Sequence, residues 1–322
     1  MAIRIGLVGL GDAATHHARA LAQLEREGAC RWAVVCARDP ERIEAFREAH
    51  EVPAHVRSIA GFEALLDEGS CDAVILATPD PVHTEQLVRC TARGVHVLVE
   101  KPLATSLEAG RVALKLARDR GVVVRVGYHL RHHPAHRLVH ARAKQLIGPL
   151  RNIQLHWAWR DPNTDGWRAA GEGRFWALAA LGTHCIDLAR WFVGAEPTRL
   201  TCLREPPQGV DRSAELSLAF GRALAHASVS VTHRARSRLV LVGDEGEIEC
   251  VGTVGSRGDG RVWVHAHDKP REALSYTPRD PHLAQLEVFL DAVRRKDFQP
   301  PGDALANLAV LDAIAAGETN LT

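Results

Sequence analysis

The sequence lacks an excess of charge of either sign: 40 lysines and arginines stand against 39 aspartates and glutamates in 322 residues. Without a basic field there is no electrostatic footprint for nucleic acid or an anionic membrane, and small neutral-to-anionic partners are expected instead. It also lacks any C-x-x-C pair, its seven cysteines being scattered at 30, 36, 71, 90, 185, 202 and 250. An odd, scattered set reads as reduced thiols rather than a disulfide framework or a zinc site, which points to the cytoplasm. No charged-then-apolar leader precedes the first apolar run, and no run approaches the ~18 residues of a membrane span, so a soluble, unprocessed protein is expected. Internal repeats and low-complexity tracts are absent too. What is there, 46% apolar and 25% charged residues, suffices for two domains with real cores.

The first 125 residues alternate strand and helix. IRIGLVGLG is an apolar strand breaking into glycines, and ATHHARALAQLEREG carries apolar residues at helical spacing up to Gly28. WAVVCA is a second strand, after which Asp39 and Pro40 supply an N-cap and a first helical residue. DAVILATP, a helix from Asp80 and Pro81 to Gly94, and VHVLVEKP continue the series. Thr105 and Glu108 form a capping box for a helix up to Arg120, before the strand VVVRVG. Strands with little alternation, separated by helices, predict a doubly wound parallel sheet, with ligands at the carboxyl ends of its strands.

Gly9, Gly11 and Ala14 fit G-x-G-x-x-G/A at the first strand-to-helix turn. Glycine there permits a tight turn and close approach to a pyrophosphate, a small third residue lets helix and strand pack, and the helix N-terminus offers N–H groups to phosphate. An acid at the end of the second strand would mark NAD; here Ala37 and Arg38 stand there and Asp39 is spent as the N-cap. The cofactor expected is therefore NADP, with NAD as the alternative.

From residue 126 the period becomes two, in RNIQLHWAWR, TRLTCLR, AELSLAFG, ALAHASVSVTH, SRLVLVG, GEIECVG and RVWVHAH. Asp244, Glu245 and Gly246 separate two of these as a hairpin turn would. An α+β domain with a mostly antiparallel sheet is predicted over 126–322, closing in helices near 282–296 and 302–316. Five histidines crowd into HLRHHPAHRLVH, at 129, 132, 133, 136 and 140. Pro134 starts a helix there, so only His136 and His140 share a helical face, no cysteine or carboxylate joins them, and no metal site is expected.

The stretch ALGTHCIDLARW sets His184 and Asp187 in an apolar run, which alone reads as a packed core histidine. The set GLVGLGDAATHH, ATPDPVH, GVHVLVEKPLATS, RHHP and GTHCIDLARW, in that order, resembles the glucose-fructose oxidoreductase and inositol dehydrogenase (Gfo/Idh/MocA) family over nearly the whole chain. The resemblance implies a Rossmann domain over 1–125 and an open-faced sheet domain for substrate binding and oligomerisation over 126–322. It also implies a nicotinamide cofactor, hydride transfer on a sugar, polyol or sugar-derived substrate, and a homodimer or homotetramer.

Carried over by position, Gly9, Gly11, Asp12 and Ala14 meet the pyrophosphate, and Ala37 and Arg38 the ribose. Thr78, Pro79, His83, Glu100 and Lys101 lie on the nicotinamide side, and His17 fits a recurrent histidine of the first helix. Lys101 and His184 are the catalytic pair, joined at the substrate by Tyr128, Arg131, Arg168, Thr183 and Asp187, the last also placed one turn on from His184 to orient its helix or ring. The types suit the chemistry, because removing a hydride from carbon leaves an oxygen that must lose its proton, and a base and a cation both assist. The chain departs from the family at Ala180, where an aspartate is usual. That loss raises an alternative, a catalytically impaired NADP-binding sensor or scaffold. Arg131, Arg160, Arg168 and Arg174 with His129, His132 and His133 are expected to form a cationic rim, favouring an anionic substrate.

Overall fold

The alternating pattern of the N-terminal part becomes a six-stranded parallel sheet in a computed structural model, which describes residues 2–162 and 165–321. In chain order its elements are β1 (Arg4–Val8), α1 (Asp12–Arg26), β2 (Arg31–Ala37), α2 (Pro40–Ala49), β3 (Arg57–Ala60), α3 (Phe62–Glu68), β4 (Ala73–Leu76), α4 (His83–Ala92), β5 (His96–Val99), α5 (Leu107–Asp119) and β6 (Val124–Val126). The strand order is β3-β2-β1-β4-β5-β6, so it reverses between β1 and β4. That switch point opens a crevice beyond the carboxyl ends of those two strands. β3 and α3 have no counterpart in the pattern read from the sequence.

Local chemistry sets the boundaries. Asp39 Oδ1 accepts the Glu41 N–H at 3.0 Å and Pro40 opens α2. Asp80 and Pro81 start a 3₁₀ turn, Asp80–Val82, that leads into α4. The capping box expected from Thr105 and Glu108 does not form. Ser106, one residue on, is the cap, its Oγ accepting the Ala109 N–H at 3.3 Å, and α5 begins at Leu107.

The second sheet has eight strands, in the order β14-β13-β12-β11-β7-β10-β9-β8. Its elements run α6 (Pro134–Ile147), β7 (Leu150–Ala158), α7 (Thr183–Val193), β8 (Arg199–Glu205), β9 (Ser213–Phe220), β10 (Ala223–Ser230), β11 (Arg238–Gly243), β12 (Gly246–Val251), β13 (Arg261–Ala266), β14 (Glu272–Leu274), α8 (Pro281–Arg295) and α9 (Gly302–Ala316). Among the described residues of this sheet only β7 and β10 pair in parallel, and β11 and β12 form the expected hairpin about Asp244-Glu245 with Gly243 opposite Gly246. Alternation separates two faces: Ala225, Ala227 and Val229 are buried while Leu224 and His226 are exposed. The buried face packs with Val139, Ile186 and Leu311 in one core, leaving the other face uncovered.

The chain divides into two units, Met1–Gly127 with His282–Leu305, and Tyr128–Pro281 with Ala306–Thr322. This corrects a single division at 125/126. From His282, α8 belongs to the first unit, where Leu283, Leu286, Phe289 and Leu290 join the core of the parallel sheet. Among the described residues, no helix is long and apolar enough to cross a membrane. All seven cysteines are free thiols.

Candidate functional site

In the first unit the turn between β1 and α1 lies at the switch point. Gly9 has φ +83°, and a Cβ added there would stand 2.5 Å from the Ala77 carbonyl oxygen after β4. Its glycine is demanded by the protein itself. Gly11 differs, because a Cβ on it would meet nothing nearer than Arg42 at 3.9 Å. The protein leaves that position open, as close approach of a pyrophosphate requires. Gly11 is the N-cap of α1 and no side chain caps the helix, so the first-turn N–H groups carry no side-chain partner. Ala14 has no exposed surface and packs in the core, while Asp12 is exposed in the first turn. The residues present thus fit a dinucleotide phosphate.

At the end of β2, Ala37 is half-buried and Arg38 exposed. A second arginine escaped the sequence reading: Arg42 Nε donates to the Leu10 carbonyl at 3.2 Å, which places it against the glycine turn. The available signal was its position in the first turn of α2, four residues after Arg38.

Beyond β4 and β5 the expected residues split into two groups. Thr78, Pro79 and Lys101 are partly exposed. His83 and Glu100 are not, and their expected cofactor contacts give way to bracing. His83 is fully buried, its ring nitrogens each 2.8 Å from the carbonyls of Pro102 and Thr78, so it ties the two loops together. Glu100 lies 2.8 Å from Nε2 of the buried His17 and accepts the Lys101 N–H at 3.2 Å. Burial alone would push its carboxyl up, but the hydrogen bond and charge of His17, with Lys101 and His282 nearby, hold it well below the usual carboxylate range. Gly127 leaves room for this carboxylate, which would lie 3.0 Å from an added Cβ.

In the second unit His184 sits in the first turn of α7, after one π-helical turn, Leu178–Gly182. Its imidazole is 2% exposed and framed by rings: His129 edge-on at 4.7 Å, Trp157 tilted at 5.6 Å and Tyr128 edge-on at 6.0 Å between centroids. Asp211, from the loop between β8 and β9, caps this helical segment: Oδ1 accepts the Trp176 N–H at 2.8 Å and Oδ2 the Leu178 N–H at 2.7 Å. Burial pushes the Asp211 carboxyl up to about 6, against the pull of those donors.

Four residues expected at the substrate are buried against, or spent on, partners within the protein. Asp187 is 1% exposed, with Arg131 bidentate on it at 2.7 and 2.8 Å and Asn307 Nδ2 donating at 2.9 Å. Asn307 in turn accepts from Arg190 at 2.8 Å, so this carboxylate anchors α7 and α9 and is saturated by protein donors. Thr183 has no exposed surface and Tyr128 5%; their hydroxyls lie 3.3 Å apart, and burial pushes the tyrosine up to about 12. Arg131 is largely spent on Asp187.

Arg168 keeps partial exposure, stacked 4.3 Å from the Trp167 ring centre. The cationic rim is weaker than expected, because Arg174 is paired with Asp312 at 2.6 Å. His133 and His136 are buried. Burial pushes these two rings down to about 4 and about 3, and they hydrogen-bond the Asp259 carbonyl and Thr253 hydroxyl. His140 turns instead to the Trp191 carbonyl.

Comparison with known proteins adds context to both units. Residues 3–128 match a family model described as an oxidoreductase family with an NAD-binding Rossmann fold, and residues 136–249 match the GFO/IDH/MocA C-terminal domain. The chain is 33% identical to 1,5-anhydro-D-fructose reductase of Ensifer adhaerens over 153 residues, 46% of this chain and 45% of that protein. This alignment thus spans less than half the length of that relative. It is 30% identical to dTDP-3,4-didehydro-2,6-dideoxy-alpha-D-glucose 3-reductase of Saccharopolyspora spinosa over 251 residues, 76% of this chain and 74% of that one. Among solved structures, a 3-ketoreductase from Actinomadura kijaniata, in complex with NADP and TDP-benzene, has the same fold, with a TM-score of 0.87 at 24% identity over 99% of this chain and 98% of that one.

Proposed function

Because the chain belongs to the GFO/IDH/MocA oxidoreductase family, we propose that it transfers a hydride between NADP and a sugar, polyol or sugar-derived substrate. The observation that carries this reading is the turn at Gly11, open toward the crevice although nothing in the protein needs the space. Arg38 and Arg42 flank that turn's side of β2 and α2 and supply the cations for a 2′-phosphate.

When bound, the nicotinamide ring accepts or gives the hydride. His184 takes the hydroxyl proton as a carbonyl forms and returns it in the reverse direction, and the Lys101 ammonium stabilises negative charge developing on a substrate oxygen. The rings around His184 exclude water from it, and Asp211 and Asp187 hold its helix. The protein works in the cytoplasm as a homo-oligomer joined through the uncovered face of its antiparallel sheet.

Fluorescence titration with NADPH and NADH tests the cofactor. A charged contact to the 2′-phosphate is worth roughly 1.5–3 kcal/mol, so NADPH should bind about ten- to a hundredfold more tightly. Arg38→Ala and Arg42→Ala should each erode that preference while leaving NADH affinity nearly unchanged. Equal affinities, or NADH ahead, would remove the NADP assignment.

A further inference from the structure

Trp157 is the penultimate residue of β7 and, by strand alternation, points to the same side as the buried Ile153 and Leu155. Those two are fully covered by the core. Trp157 is only half-buried, and its ring lies 5.6 Å from that of His184, tilted by 40°. Trp159 keeps the register with β10 just past the strand's end, its N–H donating to the Ser230 carbonyl at 2.9 Å. Alternation therefore sets Trp159 on the same side as Trp157, and Trp159 is 36% exposed. The covered face of the sheet thus ends in two successive indole positions in partial contact with water, the first beside His184.

A large apolar ring left in water beside a buried imidazole gains free energy when a flat apolar surface covers it. We propose that Trp157 is the stacking platform for the substrate and the residue that selects a closed ring over an open-chain polyol. Such a ring carries C–H groups on its faces and hydroxyls on its rim. Stacked on Trp157, it covers the indole and turns rim hydroxyls toward His184. An open-chain polyol has no rigid C–H face and must freeze several rotors to imitate one. Ala180, four residues before His184, offers no side-chain hydrogen bond, so apolar contact carries more of the recognition. Pockets that combine aromatic walls with a few placed polar groups are the usual form of small-molecule sites.

This inference rests on the dehydrogenase reading, and the test separates the two. D-glucose, D-galactose, myo-inositol and D-sorbitol are offered with NADP to the wild type, Trp157→Phe and Trp157→Leu, the last keeping apolar volume without a flat ring. NADPH affinity and melting temperature serve as controls for folding. The expected result is that ring probes outrank sorbitol, that Trp157→Leu raises KM for them at least tenfold with kcat less affected, and that Trp157→Phe stays within a few-fold of wild type. Saturation-transfer difference NMR on the same probes covers the case of no turnover. Saturation of ring C–H protons by the wild type and not by Trp157→Leu upholds the platform while the dehydrogenase reading fails for this panel. Unchanged KM in Trp157→Leu, sorbitol equal to the rings, or no saturation of any ring probe by the wild type overturns the proposal.

Discussion

Gly9 and Gly11, two residues apart, are held to glycine by different agents. At Gly9 the backbone conformation and the Ala77 carbonyl forbid a side chain, so Gly9→Ala should cost stability, about 1–3 kcal/mol by denaturant titration. At Gly11 only an incoming phosphate forbids one. Gly11→Ala should therefore lose no more than about 1 kcal/mol of stability, the cost of a poorer N-cap, yet bind NADPH at least tenfold more weakly, and a variant that binds normally would mean the turn holds no pyrophosphate. Both glycines were legible in the sequence because the fingerprint fixes their spacing relative to strand and helix. Arg42, Glu100 and His83 were not legible in their actual roles. Their partners, Leu10, His17 and Pro102, lie 32, 83 and 19 residues away, and no local pattern records such contacts. Asp187 was open to two readings, at the substrate or orienting the helix or ring of His184, and its engagement by Arg131 and Asn307 favours the second.

At the scale of elements, α7 matters most, because its first turn carries His184 and its approach is capped from outside by Asp211. The carboxyl of Asp211 is pushed up to about 6 by burial. An acid with a raised folded-state pKa binds its proton more tightly when folded, so its contribution to stability falls as pH rises from about 4 through about 6. His133 and His136, pushed down by burial, act with the opposite sign below their unfolded value, so the comparison must be with a variant. Urea denaturation of wild type and Asp211→Asn across this range should show the wild-type advantage shrinking by about 2–3 kcal/mol with rising pH. An advantage that grows with pH would mean that the two N–H donors keep the carboxylate charged.

Most elements were readable from period and caps. β3, α3 and β14 were not: β3 buries one side chain and β14 none, so unlike β4 and β5 they leave no apolar run, and a helix of seven residues is too short to display a period. Periodicity also shows that α8 has an apolar face but not which sheet receives it, hence the misplaced boundary.

At the scale of the molecule, the proposed cofactor turn and the proposed proton carrier belong to different units of the chain. The uncovered sheet face exposes Leu203 by 76% and Leu224 by 48% among polar neighbours. A second copy is the proposed cover. Size-exclusion chromatography with light scattering should give a dimer or tetramer, and Leu203→Glu should shift it toward the monomer; a wild-type monomer at micromolar concentration would contradict the assembly.

The central claim, a dehydrogenase in which His184 moves the proton, is tested most directly by comparing turnover and NADPH affinity for wild type and His184→Ala on a substrate the wild type accepts. Turnover of His184→Ala should fall ~10²-fold or more with NADPH affinity unchanged. Full turnover in a variant that melts early would contradict it and leave His184 a core histidine.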